Sequence, residues 1–145
     1  MTVKTTAALI AVGLLGVTAP SLAWAGDLTV TLTGAHAGGG QVHAALYTRE
    51  TFFRPGGLQQ TVDPASGAVT IVFRDVPPGD YAFTAYHDED GDGQMDRSPM
   101  GMPSEGWGMS NADQLMGPPT FDVLRFTVPA SGVAISVPLH YSTGR

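Results

Sequence analysis

Residues 87–96 (HDEDGDGQMD) hold five carboxylates and no lysine or arginine. Asp88, Asp90 and Asp92 match positions one, three and five of the loop that binds calcium between two helices, and Gly93 matches its sharp turn at position six. Calcium is a hard cation with about six to eight oxygen ligands, and alternate residues of a curling loop point toward one centre. This spacing predicts a calcium site, and calcium is the expected cofactor.

Two more residues complete the predicted ligand set. Gln94 at position seven offers its backbone carbonyl, and Asp96 at position nine binds the ion, often through a water molecule. We therefore expect the metal ligands to be Asp88, Asp90, Asp92, Gln94 and Asp96. Electrostatics favour the same interpretation: two carboxylates about 5 Å apart repel by about 3 kcal/mol at an effective dielectric constant of about 20, and a divalent cation turns this repulsion into attraction.

The segment departs from the calcium-loop pattern at position twelve, where Pro99 replaces the usual bidentate glutamate. Its flanks also lack the two helices of that pattern. A replacement ligand can come from Glu105, Asn111 or Asp113, and the spacing leaves all three open. The competing interpretation is a solvated acidic turn in which the aspartates cap their own backbone.

A second kind of metal chemistry is suggested by the methionines, because five of the six lie between Met95 and Met116. Thioethers are soft ligands for Cu(I), and His87 is close enough in sequence to join Met100 and Met102. The alternative function is therefore a copper-handling protein, or an enzyme that uses His87 and this loop. The competing interpretation is that methionine fills irregular gaps where a long loop packs on a sheet.

Trp107 lies among glycines in the segment SEGWGMSN and offers a large apolar face with a polar N–H. It either packs beneath the loop or serves as a stacking platform for a sugar, so a glycan or a protein is the expected partner. The chain has no cysteine and no Gly-x-Ser-x-Gly motif, and its four histidines are dispersed. We expect no catalytic residues and a non-enzymatic protein.

The elements that position these residues are expected to be short strands. DLTVTLTG alternates Leu28, Val30 and Leu32 with threonines, and similar runs follow in QVHAALYT, AVTIVFRDV, YAFTAYH, LRFTV and VAISVPLHY. The linker 37–40 is interpreted as a hairpin turn between the first two strands, and Pro138, which lacks a donor, is expected at a sheet edge. These patterns predict an all-β fold, a single antiparallel β-sandwich of six or seven strands.

One long segment does not follow the strand pattern. About thirty residues between His87 and Phe121 are acidic at their start and rich in glycine, methionine and proline. Loops of this length in a compact domain are usually functional or disordered. Its apolar side chains argue against disorder, so we expect this loop to pack on the sandwich and to form the working surface. RETFFRPGGLQQTVDPASG is interpreted as a second loop.

The chain begins with Lys4, an apolar run and the triplet AWA at residues 23–25, a pattern typical of a cleaved signal peptide. We expect residues 1–25 to be removed, and residues 26–145 to form one periplasmic or secreted domain of 145 − 25 = 120 residues, with no membrane insertion after cleavage. That domain has six arginines, no lysine and thirteen acids, so its formal charge is 6 − 13 = −7. It offers no basic stripe for a nucleic acid.

Three motifs occur in a fixed order, PPGDYAFTAYHDEDGDGQMD, GMPSEGWGMSNAD and GPPTFDVLRFTV. Together they resemble the bacterial domain-of-unknown-function family 2141, over about residues 27–141. The resemblance implies an exported β-sandwich without an established activity. Ala112 stands where the family often has an asparagine. The Pro-Pro-Gly turn is also similar to turns of transthyretin-like sandwiches, although the Tyr-Arg-Gly-Ser ending of hydroxyisourate hydrolases is absent.

Overall fold

The structure is a computed structural model that describes residues 25–64 and 67–142. The predicted signal peptide lies outside these residues except for Ala25. Within the described residues, no helix has both the length and the apolar character needed to cross a membrane. The first strand begins at Gly26.

Eight strands and two short helical segments make up this part of the chain. The strands are β1 (Gly26–Ala35), β2 (Gln41–Tyr47), β3 (Leu58–Val62), β4 (Gly67–Val76), β5 (Gly79–Asp88), β6 (Gly106–Met109), β7 (Phe126–Val128) and β8 (Val133–Pro138). A 3-10 turn (Ala112–Gln114) and a short helix α1 (Phe121–Leu124) precede β7. The strands form two sheets, in the orders β4-β1-β8 and β3-β2-β5-β6, with β7 paired to β5. The predicted all-β sandwich is confirmed.

The core lies between the two sheets and is built from the inward face of each strand. Along β1, Leu28, Val30 and Leu32 are fully buried while the threonines between them face outward, as the alternation of side chains along a strand requires. Phe73 of β4 and Phe83 of β5 meet edge to face at 6.3 Å between ring centroids. The outward face of the larger sheet is thereby available to the long loop.

The expected hairpin between the first two strands is wrong. β1 pairs with β4 and β8, whereas β2 pairs with β3 and β5, so residues 36–40 carry the chain from one sheet to the other. Two strands that each bury one face can be neighbours in one sheet or can lie in opposite sheets across the core. The alternation of buried and exposed residues is the same in both arrangements. The pattern therefore predicts which side chains point inward but not which strands are neighbours.

Two strands lie in segments that the sequence assigns to loops. β3 (LQQTV) is an edge strand with no buried residue, so it lacks the alternation that marks a half-buried strand. β6 (GWGM) is short, contains two glycines and interrupts the predicted long loop. β8 lies at a sheet edge, as Pro138 predicts, and it pairs with β1 in parallel rather than antiparallel orientation.

After β8 the chain crosses from the smaller sheet to the larger one. The amide of Leu139 donates to the Thr33 carbonyl at 2.8 Å, and His140 and Trp107 then exchange two backbone hydrogen bonds of 2.7 and 2.9 Å. β6 therefore has β5 on one side and His140 on the other. Pairing on both sides holds β6 in place, and β6 begins at Gly106, beside the acidic segment.

Candidate metal centre

The pairing of β5 with β6 brings two buried carboxylates together. His87 lies opposite Gly106 in this antiparallel pair, so the next residues, Asp88 and Glu105, face each other where the ladder ends. Asp88 is 2% exposed and Glu105 is 5% exposed. Carboxylates are rarely buried to this degree without a compensating partner.

Asp88 is the residue around which the acidic segment turns. Its Oδ1 accepts hydrogen bonds from the amides of Gly91 (2.8 Å) and Asp92 (3.1 Å), and its Oδ2 accepts one from the amide of Gly93 (2.9 Å). Gly91 and Gly93 have φ of 78° and 79°, a conformation that glycine adopts without steric cost. The two glycines therefore allow three amides to converge on one carboxylate.

Glu105 ties the two ends of the acidic segment together. Its Oε1 accepts a hydrogen bond from the amide of Glu89 (2.9 Å), and its Oε2 accepts one from the amide of Asp96 (3.1 Å). One buried side chain thus fixes the distance between residues 89 and 96. The closed shape of the loop depends on a residue that follows it by nine positions.

Three carboxylates place oxygens close together. One oxygen from each of Asp88, Asp90 and Glu105 lies within 4.8 Å of the others, a spacing that ligands of a single calcium ion can adopt. A carboxylate has about four acceptor positions. Backbone amides use three of them at Asp88, two at Glu105 and one at Asp90. Acceptor capacity for a cation therefore remains, most of it at Asp90 and Glu105.

Glu105 is the candidate replacement ligand that the structure brings to the acidic segment. Asn111 is turned elsewhere, and its Nδ2 donates to the Arg125 carbonyl at 2.9 Å. Asp113 is exposed on the 3-10 turn. In the sequence Glu105 is a single carboxylate between a serine and a glycine. Only the register of β5 against β6 distinguishes it.

The five predicted ligands divide into two sets. Asp88 and Asp90 belong to the group of three carboxylates, whereas Asp92, Gln94 and Asp96 are not part of it. Asp92 Oδ1 accepts a hydrogen bond from the Gln94 amide at 2.7 Å, which is a local turn contact. Burial raises the pKa of Asp96, and the charges of Asp90, Asp92 and Asp88 raise it further. Asp96 therefore lies in the electrostatic field of the same cluster.

The Asp88 carboxyl is held in its charged form. Burial by itself raises the pKa of Asp88, but hydrogen bonds from Gly93, Gly91, His43 and Asp92 outweigh this effect and lower the pKa below its ordinary value of 3.8. The His43 Nε2 atom lies 3.4 Å from Asp88 Oδ2. A charged carboxylate is the form that binds a cation.

This lowered pKa predicts how the stability depends on pH. A carboxyl whose pKa is lower in the folded state stabilises the fold above its ordinary pKa, and the contribution is lost as the pH falls through the folded value. In a chelator, we expect the difference in unfolding free energy between the wild type and Asp88→Asn to be constant above about pH 5 and to shrink below pH 3.8. Urea unfolding at several pH values measures it. A pH-independent difference would contradict this role of Asp88.

The His87 side chain belongs to the core and not to the candidate metal centre. It is fully buried, its Nε2 lies 3.0 Å from the Gly39 carbonyl and its Nδ1 lies 2.9 Å from the Tyr141 hydroxyl. A carbonyl can only accept, so Nε2 carries the proton and Nδ1 accepts from Tyr141. A copper site that uses His87 would have to break one of these hydrogen bonds.

The methionines of the long loop are not all packed against the sheet. Met100, Met102 and Met116 are 90%, 63% and 99% exposed, whereas Met95 and Met109 are half-buried. Gap filling therefore explains only the two half-buried residues. Trp107 is also half-buried, on the outer face of β6, and borders a groove of about 1010 Å³.

Comparison with known proteins gives one match. A family model with the description "Uncharacterized protein conserved in bacteria (DUF2141)" matches residues 30–136. No curated protein and no solved structure matches the chain. The likeness to transthyretin-like sandwiches therefore stays an expectation. The matched region includes the whole acidic segment and Glu105.

Proposed function

The chain belongs to the DUF2141 family, and we propose that it is an exported, non-enzymatic β-sandwich domain that binds calcium in its acidic segment. The observation that supports this proposal most strongly is the cluster of carboxylate oxygens that the buried Asp88 and Glu105 form with Asp90. A cation at this cluster holds the loop against the end of β5. Calcium is then part of what stabilises the domain.

The charges around the cluster support a cation. Buried carboxylates need a counter-charge or a metal, and unit charges about 5 Å apart repel by about 3 kcal/mol at an effective dielectric constant of about 20. Among the described residues, the arginine ion pairs join Arg49 with Asp122, Arg74 with Asp27 and Arg125 with Asp80, all outside the acidic segment. The ion-pair partner of Asp88 is His43, which carries a charge only when protonated.

The donor atoms favour calcium over other cations. Asp88, Asp90 and Glu105 offer only oxygen, which suits hard cations, whereas copper and zinc favour nitrogen and sulfur ligands. Magnesium requires nearly ideal octahedral geometry at short distances. Calcium accepts irregular and larger ligand sets, such as those of a glycine-containing loop.

A solvated acidic turn explains some of the same contacts. Asp88 and Asp92 accept hydrogen bonds from loop amides, as aspartates in turns do. The amide hydrogen bonds of Glu105 also fit such a turn, but the turn supplies no counter-charge for the two buried carboxylates of Asp88 and Glu105, which repel each other. The two interpretations therefore differ most at these buried carboxylates.

The proposed setting is the periplasm or the extracellular space. The signal-like start of the sequence supports it. A binding or accessory role, with a glycan or protein partner, is supported by the groove beside the acidic segment. A non-enzymatic role is supported by His87, whose ring nitrogens both have hydrogen-bond partners in the fold.

Calorimetric titration of calcium into the purified protein tests the calcium site. We expect one site with a dissociation constant of about 0.1 to 1 mM, the range of extracellular calcium modules. Glu105→Gln removes a charge and an acceptor from the site, so we expect binding weaker by at least about tenfold, or about 1.4 kcal/mol.

The matched control is Asp113→Asn, which removes one charge from the same loop at an exposed position. We expect this variant to bind calcium within about twofold of the wild type, because an exposed charge contributes little. Equal calcium affinity in the wild type and Glu105→Gln would contradict the proposed ligand set.

A further inference from the structure

A row of side chains crosses the outer face of the larger sheet, with cross-strand neighbours in register. The row consists of Thr61, His43, Tyr86, Trp107 and His140. The rings of His43 and Tyr86 are stacked at 5.0 Å between centroids, and those of Trp107 and His140 lie 4.9 Å apart at 36°. Cross-strand neighbours support each other's orientation. The row therefore presents two pairs of neighbouring rings on one face of the sheet.

Two arms of the long loop border this row and turn it into a groove, here called the aromatic groove. One arm contributes residues between Gly93 and Pro103, and the other contributes residues between Leu115 and Pro119. Tyr86 and Trp107 also line the groove, whose volume is about 1010 Å³. This volume is at the upper end of the range for small-molecule sites.

The polar side chains of the aromatic groove are mostly neutral. Gln59, Thr61 and Thr84 supply amide and hydroxyl groups, and His43 Nδ1 lies 3.1 Å from Thr61 Oγ1. Among the described residues that line the groove, Arg97 has a fixed positive charge, and its Nη1 donates to the Gly101 carbonyl at 3.1 Å. No carboxylate lines the groove in the described part of the chain. A charged ligand thus finds little charge complementarity in it.

We propose that the aromatic groove binds a neutral oligosaccharide. A sugar ring has an apolar C–H face and a rim of hydroxyl groups, which correspond to the flat faces of Tyr86 and Trp107 and to the neutral donors and acceptors around them. An anionic ligand is repelled by the carboxylates of the neighbouring segment and by the formal charge of 6 − 13 = −7 of residues 26–145. A pure hydrocarbon leaves Gln59 and Thr84 without hydrogen-bond partners once water is displaced.

Calcium and the groove are connected through shared residues. The Tyr86 hydroxyl donates to the Gly93 carbonyl at 3.0 Å, and Gly93, Met95 and Arg97 belong to the arm that continues the acidic segment. His43 lies in the row and 3.4 Å from Asp88. Calcium therefore positions one side of the groove. This coupling, unlike the groove itself, rests on the proposed calcium site.

Fluorescence emission of Trp107 reports on sugar binding in the groove. The other tryptophan, Trp24, precedes the predicted cleavage point, so Trp107 is the one tryptophan of residues 26–145. The purified protein is titrated with cellotetraose and with chitotetraose, first in calcium and then in a chelator. We expect a saturable change in Trp107 emission with at least one of the two sugars. The affinity should be at least about threefold higher in calcium, because a groove arm that is already in position loses less conformational entropy when the sugar binds.

Three variants locate the binding. Gln59→Ala replaces an exposed groove residue and should weaken binding by about three- to tenfold, the effect of losing one or two neutral hydrogen bonds. Tyr86→Leu removes a stacking ring and should weaken it by at least about tenfold. Thr70→Ala, an exposed position on the smaller sheet, should leave the affinity unchanged.

The outcomes separate the groove from the calcium site. Absence of saturable sugar binding in calcium, in a protein that binds calcium by calorimetry, would overturn the groove assignment alone. Sugar binding of equal strength in calcium and in chelator would support the groove and overturn the coupling. Binding of a neutral tetrapeptide, with no response to either sugar, would overturn the assignment to an oligosaccharide.

Discussion

Replacing Gly40 by alanine is expected to lower the free energy of unfolding by about 3 kcal/mol or more. Gly40 has φ of 83°, a conformation that costs a residue with a Cβ atom about 1–2 kcal/mol. A Cβ atom at this position would also overlap the Asp88 carbonyl oxygen and lie 2.7 Å from the Asp88 carbonyl carbon. Such a clash with backbone atoms adds about 1–3 kcal/mol. Urea unfolding in a chelator measures the loss.

The same substitution should displace Asp88, the first residue of the proposed ligand set. Because the new methyl group presses on the backbone of Asp88, we expect Gly40→Ala to weaken calcium binding by at least about tenfold, or about 1.4 kcal/mol. Gly38→Ala is the matched control, since a Cβ atom at Gly38 has no neighbour within 4 Å. It should change stability by less than about 0.5 kcal/mol. Similar losses in the two variants would show that the approach of Gly40 to Asp88 is unimportant.

Replacing Asp88 by alanine is expected to lower the free energy of unfolding by about 1–2 kcal/mol in a chelator. The amides of Gly91, Asp92 and Gly93 lose their acceptor, at about 1 kcal/mol each. Removal of one charge from the cluster relieves repulsion and offsets part of this loss. In calcium the difference from the wild type should grow, because the variant also loses the ion.

Asp90→Ala separates the two roles of Asp88. Asp90 is exposed, and among the described contacts it accepts one hydrogen bond, from the Asp92 amide. In a chelator, the loss of this hydrogen bond and the relief of charge repulsion should nearly cancel, so the free energy of unfolding should change by less than about 1 kcal/mol. In calcium, both variants should lose the response to the ion. A calcium response that survives in either variant would contradict the ligand group of Asp88, Asp90 and Glu105.

The sequence predicted the inward faces of the strands better than their neighbours. Alternation in β1 correctly placed Leu28, Val30 and Leu32 in the core. It could not distinguish pairing within a sheet from packing across the core, so the hairpin at residues 37–40 was wrong. β3 lacks a buried face, and no periodic signal marked it as a strand. Period-two patterns report burial, and pairing follows from the whole topology.

The acidic segment shows the same limit at the level of the site. The glycines and aspartates of residues 88–93 predicted a turn with converging oxygens, because the local geometry depends only on neighbouring residues. Glu105 joins them through the pairing of His87 with Gly106, a contact between residues far apart in the chain. The hydrogen bonds by which Glu105 joins the two ends of the loop could therefore not be inferred from residue spacing. The aromatic row across four strands likewise requires the strand order.

A thermal melt of the wild-type protein, in calcium and in a chelator, tests the calcium site most directly. If calcium binds only the folded state, a concentration about tenfold above the dissociation constant adds about 1.4 kcal/mol of stability, which raises the melting temperature by roughly 5 °C. Magnesium at the same concentration should raise it less, because this loop does not offer a compact octahedron. Identical melting temperatures in a chelator and in about 10 mM calcium, well above the expected dissociation constant, would contradict a calcium site in residues 88–96.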